Sequence, residues 1–106
     1  MKREPAAGRT VVALRRTYKA ANATHKSTGA AAAAAVDAAD AAVGDAVAAA
    51  YAAVLSTRKA AAATEGIANE AKADLRAAGR CKRLADLLTC DRSAVRLAAQ
   101  MALEVV

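Results

Sequence analysis

Between residues 30 and 63 the chain places 20 alanines in 34 positions and has no proline. Alanine has the highest helix propensity of any residue, and the chain's single proline is Pro5, so nothing in this stretch interrupts a helix. A buried alanine removes only a methyl group from water, however, so such a helix gains little per contact and needs length or partner copies to be stable. Across all 106 residues alanine occurs 36 times, against 9 Val, 8 Leu, 2 Met, 2 Cys, 2 Tyr and one Ile, with no Phe or Trp. That length supports one domain, and the missing aromatic anchors and turn residues exclude a small β-sandwich or barrel. The composition implies an all-α, alanine-rich helical bundle with one long helix.

Three segments are expected. Residues 1–29 form a basic tail and a first helix. That helix starts at the N-cap former Thr10, with Val11, Leu14, Tyr18 and Ala21 on one face and Arg15, Arg16 and Lys19 mainly on the other. The cap formers and glycine of residues 22–29 read as a loop. Residues 30–63 form the long helix, with Val36, Val43, Val47, Tyr51 and Val54 as a narrow seam from which Asp37, Asp40 and Asp45 point away. At about 1.5 Å per residue this helix would reach about 50 Å, nearly twice the width of roughly 26 Å expected for a chain of this size. The seam is therefore expected to be an oligomer interface, making the protein a homo-oligomer. Gly66 is expected to mark a break.

Residues 64–106 form a C-terminal three-helix unit. Ile67, Ala71, Leu75 and Ala78 share a face up to Gly79, a natural C-cap. A short helix carries Cys81, Leu84, Leu87 and Leu88, and Asp91 caps a last helix from Arg92 to about Glu104. Leu84-Ala85-Asp86-Leu87-Leu88, a three-residue turn and Arg92-Ser93-Ala94-Val95-Arg96 resemble the helix-turn-helix of bacterial transcription regulators. The resemblance covers residues 80–104. It implies that Ala85 lets the two helices cross closely and that Cys90 and Val95 plug the angle between them. Thr89 departs from the family, which usually has glycine at that turn position because the backbone there is left-handed.

The formal net charge is +6, unevenly distributed: +6 over residues 1–35, −3 over 36–55 and +3 over 56–106. Such segregation fits a polyanionic partner, and two tyrosines are too few for stacking on single strands, so double-stranded DNA held by its backbone is the expected ligand. Winding the last helix at 100° per residue puts Arg92, Ser93, Arg96 and Gln100 in one polar arc. As a recognition helix, it would present them to the major groove, with Lys82 and Arg83 near the phosphates. Arg15, Arg16 and Lys19 are auxiliary phosphate contacts. Leu97, Met101 and Val105 form a separate apolar strip on the same helix, suited to a partner subunit. This strip, with the alanine seam, supports an alternative reading as a helical capsid, coat or scaffold component.

Motifs for catalysis are missing. His25 is the single imidazole and lies in a polar stretch beside Lys26, where a surface role is expected. Asp37 and Asp40 are expected to be solvated. No phosphate loop, zinc-protease motif or calcium loop occurs. Cys81 and Cys90, without a Cys-x-x-Cys pair, indicate neither zinc nor thioredoxin-type chemistry and are expected as reduced thiols. The expectation is a protein that is not an enzyme and has no cofactor, metal or small-molecule substrate. No apolar run follows the basic first residues as a signal peptide requires. Three aspartates within 29–55, each costing about 2.5 to 3.5 kcal/mol at a bilayer centre, argue against a membrane span. An intracellular location is expected, cytoplasmic or nucleoid-associated, or inside a virion or particle for the assembly reading.

Overall fold

The computed structural model describes residues 5–81 and 83–104. Lys82 and Val105, both singled out above, lie outside the described residues. Four helices follow in order: α1, Pro5–Ala41; α2, Ala46–Arg80; α3, Leu84–Leu88; and α4, Ser93–Glu104. No strand occurs among the described residues, so the fold is all-α, with a long first helix and a C-terminal helical unit. No helix among them is long and apolar enough to cross a membrane.

α1 begins at Pro5 rather than Thr10. A proline lacks the N–H that the first turn of a helix leaves unpaired, and its fixed φ suits that position. Thr10 caps nothing: its side chain is fully buried and its hydroxyl donates to the Ala6 carbonyl at 2.8 Å. The loop expected at residues 22–29 is also helical. Its polar groups bond along and across helices instead of ending one. The Thr28 hydroxyl donates to the His25 carbonyl at 3.0 Å, and the Thr64 hydroxyl oxygen of α2 lies 2.7 Å from that of Thr28 and 3.2 Å from His25 Nδ1. Cap formers end a helix only where no neighbouring helix takes up their hydrogen bonds.

The single helix expected over residues 30–63 is replaced by the end of α1, a turn at 42–45 and the first half of α2. Gly44 has φ +63°, the only positive φ among the described residues, and the turn closes through Ala46 N–H to Val43 O and Val47 N–H to Gly44 O. The physical reason is partnership. Doubling back lets two alanine faces cover each other within one chain, which an uninterrupted helix cannot do. Replacing Gly44 by alanine, whose Cβ opposes left-handed backbone, is expected to cost about 1 kcal/mol and lower the thermal midpoint by roughly 5 °C; asparagine should cost less. Thermal denaturation followed by circular dichroism measures it. Gly66 does not break α2, which continues to Arg80, and Gly79 is not left-handed.

The chain divides into two compact units. In place of boundaries near 29 and 63, the hairpin unit comprises Ala21–Ala68, and the terminal unit joins Met1–Ala20 to Asn69–Val106. In the hairpin unit the Val seam is split between elements. Val36 lies in α1, Val43 in the turn, and Val47, Tyr51 and Val54 in α2. Val54 is buried, Val36 and Val47 are half-buried, and Val43 and Tyr51 are 81% and 61% exposed. The terminal unit holds the larger core: Ala7 and Leu14 of α1, Ala77 and Ala78 of α2, Leu87 of α3, and Val95 and Ala99 of α4. Leu87 and Val95 are fully buried. Large side chains supply here the area that alanine cannot.

Candidate nucleic-acid interface

The angle between α3 and α4 is built from apolar residues that the sequence places between positions 84 and 98. Leu87 and Val95 fill it, with Leu84, Leu88, Cys90 and Ala98 packed around them. Ala85, expected at the close crossing, is exposed instead. Thr89 has φ −110° and ψ 8°, on the right-handed side, so the turn needs no glycine. Its hydroxyl donates to the Ala85 carbonyl at 2.9 Å and closes the end of α3.

The two arginines expected to face a groove are both engaged at this corner. Arg92 Nε donates to Asp74 Oδ1 at 2.5 Å, and its Nη2 to Glu70 Oε2 at 2.6 Å, which ties the start of α4 to α2. The hydrogen bond to Asp74, followed by the charges of Asp74 and Glu70, raises the Arg92 pKa above the ordinary arginine value. Arg96 Nη1 donates to the Cys90 carbonyl in the turn. Ser93 and Gln100 are exposed on α4, as are Arg83 before α3 and Arg15, Arg16 and Lys19 on α1. The arc of α4 is thus polar as expected, but its guanidinium groups serve as clamps.

A second group of cations was not singled out from the sequence. Lys72, Arg76 and Arg80 follow at four-residue steps on α2, which places them in a row on one face, about 6 Å apart along the axis. All three are exposed. With Asn69, Ala73 and Arg92 they line an open recess of about 470 Å³. Among the described residues the ion pairs are those of Arg92 with Glu70 and Asp74, so none engages this row. Arg92 pairs with the two acids nearest the row on α2 and offsets one of their two charges, so these four cations and two acids leave a net charge of +2 around the recess. The signal was present in the repeated step of four, on the face opposite the apolar positions.

Both cysteines are free and half-buried. The Cys81 thiol donates to the Ala77 carbonyl at 3.3 Å, and burial, then the nearby Cys90 and Asp86, pushes its pKa up. A raised pKa means less thiolate at any given pH, so Cys81 should alkylate with iodoacetamide more slowly at pH 8 than after unfolding in urea. Peptide mass spectrometry of a timed reaction reads the difference.

Compared with family models, characterised proteins and solved structures, the chain matches none of them.

Proposed function

We propose that the protein binds double-stranded DNA through its phosphate backbone, with Lys72, Arg76 and Arg80 of α2 as the principal contacts. The observation that carries this reading is the row of three cations in an open recess, none of them in an ion pair among the described residues, where the net charge with Arg92, Glu70 and Asp74 counted is still +2. A row about 12 Å long faces a duplex whose backbone carries one charge per about 1.7 Å of axis, so several phosphates fall within its reach. The terminal unit as a whole has 13 Lys and Arg against 6 Asp and Glu. Arg83 at the corner and Arg15, Arg16 and Lys19 on α1 add long-range attraction. Ser93 and Gln100 are the α4 side chains placed for base or sugar contacts, as in the helix-turn-helix proteins that residues 80–104 resemble. Arg92 and Arg96 act in this reading as positioning residues.

Fluorescence anisotropy with a labelled mixed-sequence duplex tests the proposal. Binding should be measurable at about 50 mM salt, with log K falling against log salt at a slope near −2.7 for three phosphate contacts, or steeper if α1 takes part. No binding at that salt concentration would refute it. Substituting Ser93 and Gln100 by alanine should leave affinity for mixed sequence within about two-fold, since polar contacts to base edges discriminate sequences and add little to non-specific binding. An assembly role, as a coat or scaffold component, remains the second reading, favoured by the exposure of Leu97 and Met101 on α4.

A further inference from the structure

The terminal unit has an open apolar trough. Val12 of α1 and Leu97 and Met101 of α4 border a groove of about 890 Å³, with Ala94 and Ala98 in its wall. Leu97 and Met101 are each 57% exposed. Single exposed apolar side chains are ordinary on a protein surface, but several bordering one trough mark a contact surface. The trough is also flanked by cations. Arg9 and Arg16 both line it; Arg9 is anchored by Nη2 donating to the Ala102 carbonyl at 2.9 Å, and Arg16 is exposed. The acid in the lining, Asp74, is held by Arg92.

The hairpin unit carries the complement. No lysine or arginine occurs between Lys26 and Arg58, while Asp37, Asp40 and Asp45 fall within that interval and are exposed. In the same unit, Val43 in the turn and Tyr51 and Leu55 in the first three turns of α2 are open to solvent, Leu55 at 69%. The hairpin unit has 3 Lys and Arg against 4 Asp and Glu, opposite in sign to the terminal unit.

We infer that the groove of the terminal unit receives the hairpin tip of a second copy of this chain. Val43, Tyr51 and Leu55 of one molecule fill the trough bordered by Val12, Leu97 and Met101 of the next, with Asp40 and Asp45 near Arg9 and Arg16. A two-fold pairing of groove on groove would instead bring Arg9 and Arg16 of both copies together, a like-charge arrangement that costs binding energy. The two surfaces differ, so the contact is head-to-tail. Each added molecule leaves one tip and one groove unfilled, and association continues until a ring closes or an open chain forms. Lys72, Arg76 and Arg80 take no part, so the contact stands or falls independently of DNA binding.

Sedimentation velocity on the full chain without nucleic acid, at low salt and from about 1 to about 500 µM, is the test, since small interfaces associate in this range. The wild-type protein should gain mass with concentration and lose it as salt is raised. Met101→Glu, in the groove, and Tyr51→Glu, on the tip, should each be monomeric. Mixed one to one they should form a heterodimer and nothing larger, because that mixture retains a single usable tip and a single usable groove per pair. Arg16→Glu should weaken association at least about ten-fold, as expected for the loss of one close charge pair. All these residues are exposed, and circular dichroism checks each variant; if Met101→Glu loses helix signal, Leu97→Glu takes its place. A wild-type protein monomeric throughout, or a mixture that stays monomeric, overturns the inference. Association lost with Met101→Glu but intact with Tyr51→Glu also overturns it, in favour of groove-on-groove pairing.

Discussion

Replacing Lys72, Arg76 and Arg80 together by alanine is expected to lower the affinity for a mixed-sequence duplex on the order of 10³-fold at about 50 mM salt. The magnitude follows from counterion release. Each phosphate contact contributes about 0.9 to the slope of log K against log salt, so at about 50 mM, twenty-fold below 1 M, one contact is worth roughly fifteen-fold. Three such contacts compound to a little over 10³, and the slope should become shallower by about 2.7. The three side chains are exposed and bind no acid among the described residues, so the substitution should leave the thermal midpoint nearly unchanged. Replacing Arg15 and Arg16 should have the smaller effect. If it has the larger one, the principal contact lies on α1 and the α2 row is an ordinary solvated face. An anisotropy titration at three salt concentrations decides between them.

The largest effect on stability is expected from Leu87→Ala. Leu87 is fully buried at the junction of α1, α2, α3 and α4, where its neighbours are mostly alanines and valines. Small neighbours on rigid helices cannot collapse into the space left, so the full cavity cost applies, about 3 to 4 kcal/mol. For a chain of this size that lowers the thermal midpoint by roughly 15 to 20 °C. Leu97→Ala, at an exposed position of α4, should change stability by less than about 0.5 kcal/mol. Equal effects from the two would mean that Leu87 does not carry the core. Differential scanning calorimetry on the three proteins is sufficient.

The all-α class was legible because alanine and the absence of proline after Pro5 act locally. The inner face of α4 was legible for a similar reason: Val95, Ala98, Ala99 and Ala102 recur at helical spacing, and all but the half-buried Ala98 are buried. Where helices end was not legible. Thr10, Thr28 and Gly66 carry local signals for starts and breaks, yet Thr10 and Thr28 sit inside α1 and Gly66 inside α2. A neighbouring helix offers them partners that no local pattern reveals. Gly44 reads the other way, as a tolerated glycine within a helix, because only the gain from pairing two alanine faces makes a turn there favourable. The arginines of α4 illustrate the same limit for the candidate site. Helical winding correctly puts Arg92 on a polar arc, but its carboxylate partners, Glu70 and Asp74, are 22 and 18 residues away. Removing Arg92 and Arg96 from the candidate contacts shifts attention to Lys72, Arg76 and Arg80, whose four-residue step was visible but lay outside the segment resembling a known motif.

Gly44 also bears on the order in which the chain acquires structure. The hairpin unit is continuous in sequence and symmetrical about that turn, so its contacts can form as soon as α2 has emerged during synthesis. The terminal unit is discontinuous: Leu14 cannot meet Leu87 and Val95 until nearly the whole chain has been made. Closing an unstructured loop of that length carries an entropic cost that grows with its logarithm, and a hairpin already formed shortens the loop that remains. Pulse-labelled hydrogen exchange during refolding should therefore find amides in Ala21–Ala68 protected before those of α4, with slowing of both when Gly44 is replaced.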